Sequence, residues 1–170
     1  GMAAISTTLL AFLSSGDHIL LQKDIYGGTR NLVEAQFKRF NIDYTFTDDI
    51  DLKFFKSAIK KNTKVIYIET PSNPLLKIVD IEKIAQFAKS KNIITIIDNT
   101  FATPIIQKPI LFGVDVVLHS ATKYFGGHSD ISAGAVAASQ AHIDKIWNLA
   151  KNLGGNLSDY SVWLLERSMK

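Results

Sequence analysis

Val114-Asp115-Val116-Val117-Leu118-His119-Ser120-Ala121-Thr122-Lys123-Tyr124-Phe125-Gly126-Gly127-His128-Ser129-Asp130 is the stretch on which the fold turns. Its opening run, Val114 to Leu118, is apolar without alternation and rich in β-branched residues, the pattern of a strand buried on both faces. Two hydroxyl residues then flank a lysine, and a glycine pair turns the chain. A lysine placed at the end of a buried strand has an apolar stem and polar company. Desolvation there favours the neutral amine, which can attack a carbonyl carbon, and Ser120 and Thr122 beside it suit an anion. The alternative for Lys123 is a solvated lysine just past a strand end, the usual place for that residue type.

Working outward, strand and helix patterns alternate along most of the chain. A helix is expected over Met2 to Ser15, closed by Gly16, then a strand from His18 to Gln22. Further helices are expected over Arg30 to Phe40, Asp51 to Ile59 and Asp80 to about Lys91, with Ile81, Ile84, Ala85 and Ala88 on one face of the last. Strands are expected over Ile42 to Thr47, Lys64 to Ile68, Ile93 to Ile97 and Ala133 to Ala138. Gln140 to Leu153 and Ser158 to Met169 read as closing helices. Two-sidedly apolar strands separated by helices imply an α/β fold, a mostly parallel sheet with helices on both faces. The glycines read as loop punctuation.

The chain has 170 residues, 46% of them hydrophobic and 21% charged, enough for a single domain with its own core. The net charge of +3 comes from scattered basic residues whose longest run is Lys60-Lys61, so no nucleic-acid footprint is present. No cysteine is present, which excludes disulfides and thiolate metal sites. No apolar run is long enough to span a membrane. The segment Met2 to Leu13 lacks a basic flank and is interrupted by Ser6, Thr7 and Thr8, so an amphipathic helix is expected rather than a signal peptide, and a cytoplasmic location with it.

In open α/β sheets, ligands sit beyond the carboxyl ends of the strands. Those ends supply Tyr26, Asn73, Asp98, Ser120, Thr122 and Lys123. An amine, a carboxylate, an aromatic ring and hydroxyl donors together suit an anionic aromatic aldehyde, and pyridoxal 5'-phosphate is one. Asp98 then faces the pyridine nitrogen and keeps it protonated, although an aspartate after a strand also serves as a plain cap or turn residue. Tyr26 stacks on the ring or is simply a core tyrosine. Gly1-Met2 opens the first helix and offers backbone N–H groups to a phosphate. Asn73 is held extended by Pro74, which aims its amide, and one of Thr70-Pro71 and Asn73-Pro74 is expected to be cis.

Four segments together, Tyr26-Gly27-Gly28-Thr29, Glu69-Thr70-Pro71-Ser72-Asn73-Pro74, Asp98-Asn99-Thr100-Phe101-Ala102-Thr103-Pro104 and Ser120 to Asp130, resemble the cystathionine γ-synthase, cystathionine lyase and methionine γ-lyase family. The resemblance implies the large domain of fold-type I pyridoxal-phosphate enzymes. It further implies that Lys123 binds the cofactor aldehyde as a Schiff base and takes the substrate's α-proton, and that Asp98 pairs with the pyridine nitrogen. Tyr26 is implied as the stacking ring and a proton donor, with Gly1, Met2, Ser120 and Thr122 holding the phosphate and Asn73 beside the cofactor hydroxyl and substrate carboxylate. The implied activity is elimination or replacement at the β- or γ-carbon of a small sulfur amino acid, by a homodimer or homotetramer in the full-length enzyme. Family members are longer, so residues 1–170 are expected to be a fragment, the cofactor-binding large domain without an N-terminal segment and C-terminal domain. Gly28 stands where cysteine is expected in methionine γ-lyases. A cofactor-binding or dimerisation core without turnover, and an aminotransferase, are the alternatives. A nucleotide-binding module lacks its glycine motifs here.

Overall fold

The computed structural model describes residues 1–170. Six strands form one sheet in the order β2-β1-β3-β4-β5-β6: β1 His18–Leu21, β2 Asp43–Phe46, β3 Thr63–Glu69, β4 Ile94–Asp98, β5 Val116–His119 and β6 Ala135–Ala138. The first five are parallel and β6 runs antiparallel to β5. The α/β class expected from the sequence is the one observed. The helices are α1 Met2–Phe12, α2 Gly27–Gln36, α3 Leu52–Ala58, α4 Ile81–Ser90, α5 Thr103–Ile106, α6 Gln140–Leu153 and α7 Asp159–Ser168.

Alternation along each strand sorts side chains between two cores. Ile19, Leu21, Val65, Tyr67, Ile96, Val116 and Leu118 face Ile5, Leu9, Val33, Phe37 and Ile146 from α1, α2 and α6 and the turn after α2. Leu20, Ile66, Ile68, Ile97 and Val117 face Phe55 of α3 and Ile81, Ile84, Ala85 and Ala88 of α4. The apolar face expected for α4 is therefore the buried one. Each fully buried aliphatic side chain there contributes roughly 1.5–3 kcal/mol. Asp80 starts that helix by accepting from the Lys83 N–H, and Ser139 and Ser158 cap α6 and α7 in the same way.

One local reading needs correction. Helix α2 begins at Gly27, not Arg30, because Tyr26 stands at the cap and its carbonyl accepts the Thr29 and Arg30 N–H groups. Gly27 and Gly28 are thus helical rather than loop residues. The segment after β4 also winds into α5 and a 3-10 turn, Pro109–Phe112, for which the sequence carried no periodic signal. Thr70-Pro71 and Asn73-Pro74 are both cis. No helix is long and apolar enough to cross a membrane.

The strand order places the site. From β1 the chain steps to one side, to β2, and then to the other, to β3, so the loops after β1 and β3 diverge and leave a crevice at the sheet's carboxyl edge.

Candidate active site

That crevice is a cavity of about 300 Å³. Tyr26 comes from the loop after β1, Asn73 from the loop after β3, and Asp98 from the end of β4. Ser120, Thr122 and Lys123 follow β5, and Gly1 and Met2 begin α1. All eight residues singled out from the sequence line it. Glu69, Thr100 and Phe101 line it too, and these were not singled out.

Asp98 is 6% exposed. Its Oδ1 accepts from the Thr100 N–H at 3.0 Å and from the Thr100 hydroxyl, leaving Oδ2 without a partner in the chain. Burial raises its carboxyl above the usual range, and the Thr100 bonds pull the other way. The Thr100 hydroxyl also accepts the Ser120 N–H at 2.8 Å, which ties the ends of β4 and β5 together. Behind Asp98 lies Tyr67, fully buried, its hydroxyl near Asp98 and Thr29 but in hydrogen-bond geometry with neither.

Glu69 ends β3 beside Asp98 and is 5% exposed. Its Oε2 accepts the Tyr26 N–H at 2.8 Å and its Oε1 the Asn73 N–H at 2.7 Å. Burial, with a smaller push from the Asp98 charge, lifts its carboxyl to about 7 against the pull of those two N–H groups. The signal that could have found it is a carboxylate directly following the buried run Val65 to Ile68.

At the other end of the cavity, α1 starts at Gly1 with no side-chain cap, so the N–H groups of Met2, Ala3 and Ala4 have no intrahelical acceptor. A Cβ on Gly1 would come within 2.9 Å of the Ser120 Oγ, so glycine keeps that corner open without moving Ser120. The Ser120 hydroxyl bonds to nothing in the chain. The Thr122 hydroxyl is less free than expected: it donates to the Ala133 carbonyl at 3.1 Å and accepts the Ala133 N–H at 2.9 Å.

Lys123 departs from expectation. Its side chain is exposed at the rim rather than embedded, because it lies four residues beyond the end of β5 in an open turn. Tyr26 is likewise 44% exposed at the mouth.

The residues fit an anionic pyridine aldehyde. The open N-terminus of α1 and Ser120 suit a phosphate, Oδ2 of Asp98 a protonated ring nitrogen, Tyr26 a ring face, and Lys123 a carbonyl carbon. This donor set on an open, mostly parallel sheet suits the chemistry of pyridoxal phosphate. The sequence pattern of the family described as "Cys/Met metabolism PLP-dependent enzyme" matches residues 1–170, and the chain belongs to that family.

Among curated relatives, the chain is 47% identical over 171 residues to cystathionine beta-lyase MetC of Bacillus subtilis (strain 168). That alignment covers 100% of this chain and 44% of the relative. It is 50% identical over 173 residues to an L-methionine gamma-lyase of Fusobacterium nucleatum, with the same shares of 100% and 44%. A crystal structure of cystathionine gamma-lyase from Lactobacillus plantarum complexed with L-serine superimposes with a TM-score of 0.94 at 46% identity, over 98% of this chain and 44% of that one. The chain thus spans less than half the length of the relatives it matches.

Proposed function

We propose that this chain is the cofactor-binding domain of a pyridoxal-phosphate-dependent enzyme that breaks or forms C–S bonds in a small sulfur amino acid. The observation that carries the reading is the convergence of Lys123, Asp98, Tyr26 and the start of α1 on one cavity. Pyridoxal 5'-phosphate, when bound, supplies an electron sink for charge developing at the substrate's α-carbon.

The chain's own residues divide the remaining work. Asp98, whose Oδ2 has no partner in the chain, would hold a proton at the ring nitrogen. Lys123 would supply the amine that holds the aldehyde, and its Nζ would serve as the base toward the substrate's α-proton. Tyr26 would cover one ring face, and its phenol is the candidate donor of a proton to the departing sulfur. Ser120, with the N–H groups of Gly1, Met2 and the first turn of α1, would hold the phosphate, while Thr122, its proton given to the Ala133 carbonyl, shapes that corner rather than donating to the phosphate. Asn73, which lines the same cavity, would offer its amide to the substrate. The names of the relatives, which include β-lyase, γ-lyase and γ-synthase activities, support the C–S chemistry and a sulfur amino-acid substrate. A cytoplasmic homodimer or homotetramer of the whole enzyme belongs to the same proposal.

The test is borohydride reduction of the chain mixed with pyridoxal 5'-phosphate, followed by peptide mass spectrometry. The expected label is on Lys123, absent from Lys123→Ala, with cystathionine turnover assayed in parallel. A label spread over other lysines would overturn the assignment.

A further inference from the structure

The geometry points to Glu69 as the positioning residue of this cavity: its carboxylate clips the backbones of Tyr26 and Asn73 to the end of β3, and through them sets where the Tyr26 ring and the Asn73 amide meet the cofactor. The proposal deepens the cofactor reading and rests on it.

Three observations carry it. First, the two N–H groups come from different loops, after β1 and after β3, and they converge on the two oxygens of one carboxylate at 2.8 and 2.7 Å. A carboxylate accepts on both oxygens, whereas an amide side chain has one acceptor and one donor and can hold only one of the loops. Second, the clip is braced from behind. The Glu69 N–H donates to Gln22 Oε1 at 3.1 Å, while Gln22 Nε2 donates to the Asp24 carbonyl at 2.9 Å on the way to Tyr26. Third, the arrangement is costly. An almost fully buried carboxylate ends β3 directly beside a second one, Asp98, and its burial lifts the carboxyl to about 7. Local rules are broken in this way mostly where a site requires it. With both oxygens engaged by backbone, Glu69 acts through Tyr26 and Asn73 rather than on the reacting atoms.

Glu69→Gln conserves size and leaves one acceptor. Glu69→Asp conserves charge but is one methylene short of both loops. The experiment measures pyridoxal 5'-phosphate affinity by absorbance titration at about pH 8, where Glu69 is largely ionised. It also follows hydrogen exchange at the Tyr26 and Asn73 amides without cofactor. Expected is about a tenfold loss of affinity in both variants, the size of one lost charge-assisted hydrogen bond. Exchange should quicken at those amides while the Ile66 and Ile96 amides hold. In a Tyr26→Ala, Asn73→Ala background, Glu69→Gln should cost less than about threefold, because the groups it positions are gone. Equal losses in both backgrounds, or full affinity in Glu69→Asp, would mean that charge and not positioning is at work, and the proposal falls. Should Glu69→Gln not fold, Glu69→Asp carries the same comparison. If the unsubstituted chain takes no label at Lys123, the cofactor reading fails and this proposal with it. A labelled Lys123 with unchanged affinity and exchange in the variants overturns Glu69 alone.

Discussion

Glu69 and Asp98 are register partners at the carboxyl ends of β3 and β4, so two buried carboxyl groups stand side by side on neighbouring strands. Both are raised by burial, Glu69 from an ordinary 4.5 to about 7. Between those values the folded chain holds a proton at Glu69 that the unfolded chain has already released. Stability without cofactor therefore falls as pH climbs through that window and levels off above it, a loss of about 3 kcal/mol from Glu69. Urea unfolding at about pH 5 and about pH 8 should show the unsubstituted chain losing that much relative to Glu69→Gln. A difference between the two that does not change with pH would refute it.

Gly28 sits under the Tyr26 ring. A Cβ there would overlap Tyr26 Cε1 and lie 2.9 Å from Tyr26 Cζ and 3.1 Å from Met2 Sδ. Gly27, the preceding helical residue, has open space at the same point. Alanine at Gly27 should firm up α2 by roughly 0.5–1 kcal/mol. Only Gly28→Ala should displace the ring and weaken pyridoxal 5'-phosphate binding several-fold. Melting temperature and absorbance titration on the pair separate the effects, and equal affinities in the two variants would count against the stacking role of Tyr26.

Asp98→Asn retains an oxygen for the Thr100 N–H and hydroxyl but loses the charge opposite the ring nitrogen. Cofactor retention should drop about 10- to 100-fold, as for a lost hydrogen bond to a charged group. The cofactor-free chain should be no less stable, since a buried charge has gone. Equilibrium dialysis with a parallel melt checks both halves, and undiminished retention would remove Asp98 from the site.

Tyr67 buries a hydroxyl that finds no partner. Tyr67→Phe should therefore leave stability unchanged or raise it by up to about 1 kcal/mol. A loss beyond about 2 kcal/mol in urea would show that the hydroxyl bonds to Asp98 or Thr29 after all.

Much of this site was legible because parallel α/β sheets concentrate polar residues at the strand ends. Tyr26, Asn73, Asp98 and the residues after β5 could be collected by reading those ends alone. Helix α4 was legible because Ile81, Ile84, Ala85 and Ala88 keep a 3.6-residue spacing beside a capping Asp80. Glu69 escaped because a carboxylate held by backbone N–H groups needs a partner loop, here at Tyr26, 43 residues earlier. The exposure of Lys123 escaped for a related reason: the turn after β5 is shaped by Ser120, Thr122 and Ala133 bonds that no local periodicity announces. Strand β6 was expected, but small residues from Ala135 to Ala138 do not encode direction, and its antiparallel pairing had to be seen.

The carbonyl of Ala133 receives both the Gly1 nitrogen, 132 positions away, and the Thr122 hydroxyl. The phosphate corner therefore exists only after the first and last thirds of the chain have met. A ligand needing every wall at once has nothing to grip on a half-assembled chain, so it binds the finished molecule and draws the population toward it. Vitamin B6 supply should accordingly govern how much of this polypeptide survives proteolysis, quite apart from how fast it works.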